Sequence, residues 1–300
     1  MVKESEINDL ISLGETIEAV EEAFKDKGSG TAQMPPKSYI YFNQFNGDFR
    51  VMPAYLEDMG AAGVKVVNVH PDNPFDRDLP SVMATIMLLD PETGRPLSIM
   101  GGTKITDWRT GAAGGVAAKY LARNDSKRVG LIGTGAQART QLSALLEVFD
   151  IEVCRAYSRS VESREEFGED MKGKVEDLKI VDNAREAVEG ADIVVTITPS
   201  EKPIVKEEWV SPGTHINAIG ADAKGKQELE LDLLKRAKIV LDDWEQGTHS
   251  GEVNVPFSNG DLTEDDIYAD IGEVVTGKKS GRDSPEEVTL TFDTKALDVD

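Results

Sequence analysis

The chain has one cysteine, three histidines and no long apolar run, and each shortage removes a class of chemistry. A lone thiol, Cys154, cannot close an internal disulfide or join a multi-cysteine metal site. It lies in an apolar, strand-like stretch and reads as a small buried filler. His70, His215 and His249 show neither HExxH nor paired-ligand spacing, so no metal site is legible. A GxSxG elbow is missing too, which leaves acyl hydrolysis without a nucleophile signal. Val82 to Leu89, the longest tempting apolar stretch, is strand-sized and falls short of the roughly 18 residues that span a bilayer. The opening MVKESEINDL has no apolar signal region, so a cytoplasmic protein is expected.

Basic residues are also scarce. Against 55 Asp and Glu stand 33 Lys and Arg, a net charge of −22 whose field repels nucleic acid and anionic membranes. Such an excess suits either a cytosol of high ionic strength, where screening shortens self-repulsion, or an ordinary acidic protein. Small molecules are the partners left.

What is present suffices for an enzyme of two domains: 300 residues, 39% of them hydrophobic. The run Arg128-Val-Gly-Leu-Ile-Gly-Thr-Gly-Ala-Gln-Ala138 joins an apolar strand to a helix through a GxGxxA turn. Gly133 permits the tight turn, Gly135 lets backbone approach a pyrophosphate, and Ala138 allows close helix packing; helix N–H groups at Ala136 and Gln137 then face the anion. From there strands at Val129–Ile132, Glu152–Tyr157, Lys179–Val181, Ile193–Thr198, His215–Ile219 and Lys238–Leu241 alternate with helical stretches. That alternation predicts an α/β fold, a Rossmann-type doubly wound parallel sheet, with the dinucleotide beyond the strand ends. Thr198, Ala218, Ile219 and Gly220 occupy such ends and are candidate cofactor contacts.

The first part reads differently: an amphipathic helix at Ile17–Phe24, then strand-like runs at Lys37–Phe42, Phe49–Pro53, Gly63–Val69 and Val82–Leu89. It has the pattern of an α+β domain. The segment Thr106–Leu121 leads through a small-residue helix into the nucleotide part, and the tail TLTFDTKALDVD begins as another strand. The division expected is 1–115 with 272–300 for substrate and dimerisation, and 116–271 for the dinucleotide.

Chemistry-bearing residues stand out against this frame. Lys65 sits inside a β-branched strand, where an ammonium is costly to bury without a partner and where burial tunes lysine for proton transfer; a solvent-facing alternate position is the plainer reading. Lys37, Arg50 and Arg109 are cations in an acidic protein, and their convergence would suit a carboxylate substrate. Asp222 follows a strand end, either beside a nicotinamide or as a turn former before Gly225. Arg109 and Thr110, opening the glycine-rich helix, are also expected at the cofactor. After the second strand the chain reads Tyr157-Ser158-Arg159-Ser160, with no acid for the ribose 2′-OH. A guanidinium flanked by hydroxyls suits a 2′-phosphate, so NAD or NADP is the expected cofactor, with NADP accepted at least as well as NAD unless Arg159 stacks on adenine instead.

The segments AQMPPK, RVMPA, VKVVNVHPDNP, DWRTGAAGGVAAKYLAR, GTGAQA, THINAIGAD and GKQELELDLLKRAKIVLDD together resemble the ornithine cyclodeaminase/mu-crystallin family, most closely its archaeal alanine dehydrogenase branch. The resemblance implies a homodimer that binds NAD or NADP. It implies Lys65 at the substrate carbonyl or imine, Asp222 as acid–base partner, and Arg109 with Lys37 on the substrate carboxylate. Arg50 departs from the glutamate that cyclodeaminases carry there, and an arginine would repel ornithine's distal ammonium. The activity implied is reversible oxidative deamination of L-alanine to pyruvate and ammonium. A ketimine reductase, a cyclodeaminase and a non-catalytic crystallin-like binder are the alternatives. Family members usually continue past such a tail into a further helix, so a fragment or an altered dimer edge is expected where this chain stops at Asp300.

Overall fold

Two sheets of opposite character organise the chain in this computed structural model, which describes residues 1–292. The rest of the tail, 293–300, lies outside the described residues.

The N-terminal part begins with α1 (Ile7–Leu10) and α2 (Leu13–Ser29). Ser12 caps α2: its hydroxyl accepts from the Glu15 N–H at 3.2 Å while the Glu15 carboxylate accepts from the Ser12 N–H at 2.8 Å. Gly30 ends the helix in the left-handed conformation, φ 84°. There follow β1 (Ala32–Gln33), β2 (Ser38–Phe42), β3 (Gly47–Leu56), β4 (Ala61–Val69), the short α3 (Asn73–Asp76), β5 (Val82–Leu89) and β6 (Pro96–Gly101). All pairings are antiparallel; β1 and β2 share β3, and β4, β5 and β6 follow in order. The sheet's own buried cluster is small: Met52, Val67 and Ala84.

The second sheet is parallel throughout. Its strands are β7 (Arg128–Ile132), β8 (Val153–Tyr157), β9 (Asp177–Ile180), β10 (Ile193–Thr196), β11 (His215–Ala218), β12 (Lys238–Leu241), β13 (Ile267–Asp270) and β14 (Thr289–Phe292), in spatial order β13-β12-β14-β11-β10-β7-β8-β9. Strand order reverses between β7 and β10, so their carboxyl ends splay into a crevice. Side chains alternate between two cores. Val129, Leu131, Ile193 and Val195 pack on one face with Cys154, whose thiol burial pushes up to about 12, while Ile132, Val194, Ile216 and Leu290 pack on the other.

The tail strand was expected with the first sheet, yet β14 runs between β11 and β12 inside the parallel one. Its four residues are buried on both faces, as a strand covered on both sides requires. β6 and β13 carried no clear sequence signal.

Helix α4 (Thr103–Leu121) joins the sheets and crosses the expected boundary at 115/116. Its first turn is capped from a distance: Glu4 accepts from the Thr103 N–H at 3.1 Å and the Lys104 N–H at 2.6 Å. It packs on α5 (Ala136–Val148) through glycines. A Cβ on Gly111 would lie 2.6 Å from the Thr140 carbonyl oxygen, and one on Gly114 would lie 2.1 Å from Gln141 Oε1. No helix among the described residues is long and apolar enough to cross a membrane.

Candidate active site

Two cavities flank the start of α5, one reached by Gly135 and the other by Gln137. The larger, about 630 Å³, opens at the carboxyl ends of β7, β8 and β10, and Gly133, Gly135, Ser158, Arg159 and Thr198 line it. The smaller, about 140 Å³, lies between the sheets. Into it come Lys37 from the loop before β2, Arg50 from β3, Lys65 from β4, Arg109 and Thr110 from α4, Gln137 from α5 and Asp222 from the loop after β11. Gln137 ties them together: it is in the first turn of α5, just after the glycine turn, and its Nε2 donates to Asp107 Oδ1 at 2.6 Å.

The larger cavity suits a dinucleotide. Gly133 holds φ +108°, which strains other residues, and a Cβ there would meet the Ile197 carbonyl oxygen at 2.5 Å. A Cβ on Gly135 would meet nothing within 4 Å, so the space over the helix N-terminus is open for backbone to approach a phosphate. Ser160 has a different position from its neighbours. Its hydroxyl caps α6 (Val161–Asp170) by accepting from the Ser163 N–H at 3.1 Å, and it donates to Glu162 at 2.9 Å. Ala136 is exposed at the start of α5, while Ala218 and Ile219 are buried at and just beyond the end of β11. None of these four lines either cavity.

In the smaller cavity Lys65 is 2% exposed, so the solvent-facing alternative does not hold. It occupies the middle of β4, paired with Met52 on one side and Ile86 on the other. Arg109 is equally enclosed at 3%. Arg50 is held by a residue that sequence reading passed over: Asp48, two positions away on the same face of β3, accepts from Nε at 3.0 Å and Nη2 at 3.3 Å. Burial works against the Arg50 charge, but the Asp48 carboxylate outweighs it and raises the pKa further. The guanidinium also lies 5.3 Å from the centre of the Tyr39 ring. Asp222 accepts from Lys226 Nζ at 2.6 Å, an i,i+4 pairing that its spacing in GADAKGK could have signalled.

Sequence reading also missed the floor between the cavities. Glu228 accepts from the N–H and the hydroxyl of Thr198, both at 2.7 Å, and from the Gly220 N–H at 2.9 Å. Behind it Glu252 accepts from the N–H groups of Glu228 and Leu229. Both carboxyl groups are fully buried, and burial pushes both pKa values up, Glu252 further because Glu228 is its neighbour. Nothing in the local sequence marks this pair, because the donors are backbone groups far along the chain.

Known proteins resemble this chain over nearly its whole length. An alanine dehydrogenase from Archaeoglobus fulgidus is 51% identical over 301 residues, covering 100% of this chain and 90% of the relative. An archaeal alanine dehydrogenase dimer with bound NAD superposes with a TM-score of 0.91 at 51% identity, covering 97% of this chain and 88% of that one. The Delta(1)-pyrroline-2-carboxylate reductase of Thermococcus litoralis, in complex with NADH and L-proline, superposes with a TM-score of 0.91 at 43% identity, covering 97% and 90%. The sequence profile of the ornithine cyclodeaminase/mu-crystallin family matches residues 1–300, and the chain belongs to that family.

Proposed function

We propose that the protein is a nicotinamide-dependent oxidoreductase acting on a CH–NH2 group or the corresponding imine, and that its substrate pair is L-alanine and pyruvate with ammonium. The observation that carries this reading is the meeting of Lys37, Arg50, Lys65, Arg109 and Asp222 in one cavity of about 140 Å³ linked through Gln137 to the glycine turn. A dry cavity near that size takes a ligand of about six non-hydrogen atoms, the size of alanine or pyruvate.

In this reading Arg109 and Lys37 hold the substrate carboxylate and so fix the face that Cα presents. A nicotinamide cofactor held at the glycine turn and Thr198 would supply the hydride chemistry at Cα. Lys65 polarises the carbon as water adds to the imine and protonates the amino nitrogen, so that it departs as ammonia, which takes up a proton from solution to become ammonium. Asp222 removes the proton from the attacking water, its charge supported by Lys226. Amino acid, water and oxidised nicotinamide give oxo acid, ammonium, reduced nicotinamide and one proton.

Arg159 at the nucleotide cleft admits the 2′-phosphate of NADP(H) beside NAD(H). A homodimer is part of the same reading: Tyr39, Ile40, Tyr41 and Phe45 on and after β2 are exposed together at one edge of the antiparallel sheet, an apolar surface suited to a second copy.

A screen of 2-oxo acids with ammonium, and of cyclic imino acids without it, against NADH and NADPH tests the assignment. Pyruvate with ammonium is expected to give the highest kcat/KM. A cyclic imine preferred over pyruvate would make the enzyme an imine reductase, a reading that the proline complex of the Thermococcus relative favours. No cofactor oxidation with any of them would leave a binding protein.

A further inference from the structure

The loop that carries Asp222 leaves β11 at Gly220, turns at Gly225 with φ +89°, and returns to the buried Leu229. A Cβ on Gly225 would meet nothing within 4 Å, so this turn is uncovered on its outer side. The Gln227 N–H ties the returning arm of the loop to the Ser200 carbonyl oxygen at 3.0 Å. The turn itself is fastened by a short buried segment, Gly251–Asn254, through two polar side chains from outside the loop.

Asn254, 3% exposed, binds both sides of the turn. Its Oδ1 accepts from the Gly225 N–H at 2.8 Å, and its Nδ2 donates to the Lys226 carbonyl oxygen at 2.8 Å and the Gly251 carbonyl oxygen at 2.7 Å. Lys226 is the residue whose ammonium pairs with Asp222 at 2.6 Å, so the bracket fixes the ion pair's backbone. Glu252 acts at the loop's other end. It accepts from the Glu228 N–H at 2.8 Å and the Leu229 N–H at 2.7 Å, and Glu228 in turn holds Gly220 at the start of the loop and Thr198 at the nucleotide cleft.

We propose that Asn254 and Glu252 are positioning residues: Asn254 sets Asp222 and Lys226 against the substrate cavity, and Glu252, through Glu228, sets Gly220 and Thr198 against the dinucleotide. This rests on the acid–base reading of Asp222. The two fastenings differ in reach, and that difference makes the roles separable. Among the described residues the Asn254 side chain hydrogen-bonds to the turn at Gly225 and to its own segment, whereas Glu252 governs a contact chain that ends at the nucleotide cleft. Neither side chain lines the substrate cavity, and misplacing a proton-transferring group by about 1 Å costs on the order of 10²-fold in turnover.

The test measures kcat and KM with pyruvate, ammonium and NADH, the dinucleotide Kd by NADH fluorescence, and amide exchange along 220–229. Asn254→Ala is expected to lower kcat by about 10²-fold with the dinucleotide Kd unchanged, and to speed exchange at 222–226. Glu252→Ala should weaken dinucleotide binding as well, while Glu252→Gln, which keeps an acceptor oxygen, restores it. Should Asn254→Ala fail to fold, Asn254→Asp keeps the acceptor for Gly225 and loses the donor to Lys226, and the same split is expected at smaller size. Unchanged kcat in these folded Asn254 variants, or equal losses in kcat and dinucleotide binding, overturns the proposal. Asp222→Asn serves as the control. If it retains full kcat, the reading of Asp222 itself has failed; if it is inactive while Asn254→Ala turns over normally, only the positioning role has.

Discussion

The antiparallel sheet and the parallel sheet solve the burial problem in different ways. The strands β10, β11 and β14 are buried at every position, with helices over both faces, so that sheet carries its own core. The antiparallel sheet keeps a cluster of three residues and leaves Ile40 53% and Tyr41 64% exposed. The parallel sheet is covered on both faces, and the groups that line its cavity come from turns beyond its strand ends. The antiparallel sheet leaves apolar side chains bare and brings Lys65 and Arg50 into the small cavity from the strands themselves. In the function proposed above, binding falls to the first and reactivity to the second.

That division can be broken experimentally. The largest effect is expected from Lys65→Ala, which should lower turnover by about 10³-fold while the parallel sheet still binds dinucleotide with unchanged Kd. Near-normal turnover would remove Lys65 from the chemistry, and a lost dinucleotide site would show that the two regions are not separable. Next, Ile40→Asp on the exposed face should weaken self-association by about 10²-fold, as a charge placed in an apolar interface does, without moving the dinucleotide Kd. Sedimentation at several concentrations would show it; a wild-type protein that stays monomeric would end the argument.

A smaller effect belongs to the parallel sheet's interior. His215 is fully buried between Thr289 Oγ1 at 2.9 Å and Asn217 Oδ1 at 2.8 Å, and burial lowers its pKa from 6.5 to about 3. The folded-state value is depressed, so the unfolded chain takes up the proton first and stability is lost as pH falls from 6.5 toward 3. The contribution is up to about 1.4 kcal/mol per pH unit. Chemical denaturation across that range should show the slope, and His215→Gln should flatten it. The smallest change is expected from Arg159→Ala: kcat/KM for NADPH should fall about tenfold relative to NADH, the size of one exposed charge-assisted contact. Equal effects on both cofactors would assign Arg159 to adenine instead.

Much of this was readable from residues alone, for reasons that differ by region. The parallel strands from Val129 to Leu241 announced themselves because short apolar runs and turn residues are local signals, and the glycine turn carries its own geometry. The cavity residues were legible as types: Lys65 by its incongruous place in a β-branched strand, Arg109 by the glycine-rich helix after it. What could not be read is long-range. The placement of β14 between β11 and β12 depends on a crossover that no window contains. The Asp48 clamp on Arg50 needs the strand face to be known. Glu252 reaches the backbone of Glu228 and Leu229, and Asn254 that of Gly225 and Lys226, across more than twenty residues, which leaves no periodicity and no spacing to detect.

The glycine seam between α4 and α5 bears on how the site could move. Gly111 faces the Thr140 backbone and Gly114 the Gln141 side chain, whose Nε2 donates to the Thr110 carbonyl oxygen at 2.7 Å, so the helices lie close with no bulky side chain wedged between them. A hinge would have to pry that seam open and expose buried carbonyl groups. A slide along the helix axis would not. Any tightening of the small cavity around a substrate should therefore be a shear of α4 past α5, carrying Arg109 and the antiparallel sheet together, with amplitudes well below those of a swinging domain. Substrate analogues that close the cavity should accordingly change distances along the axis between labels on the two helices, and leave the angle between the two sheets as it was.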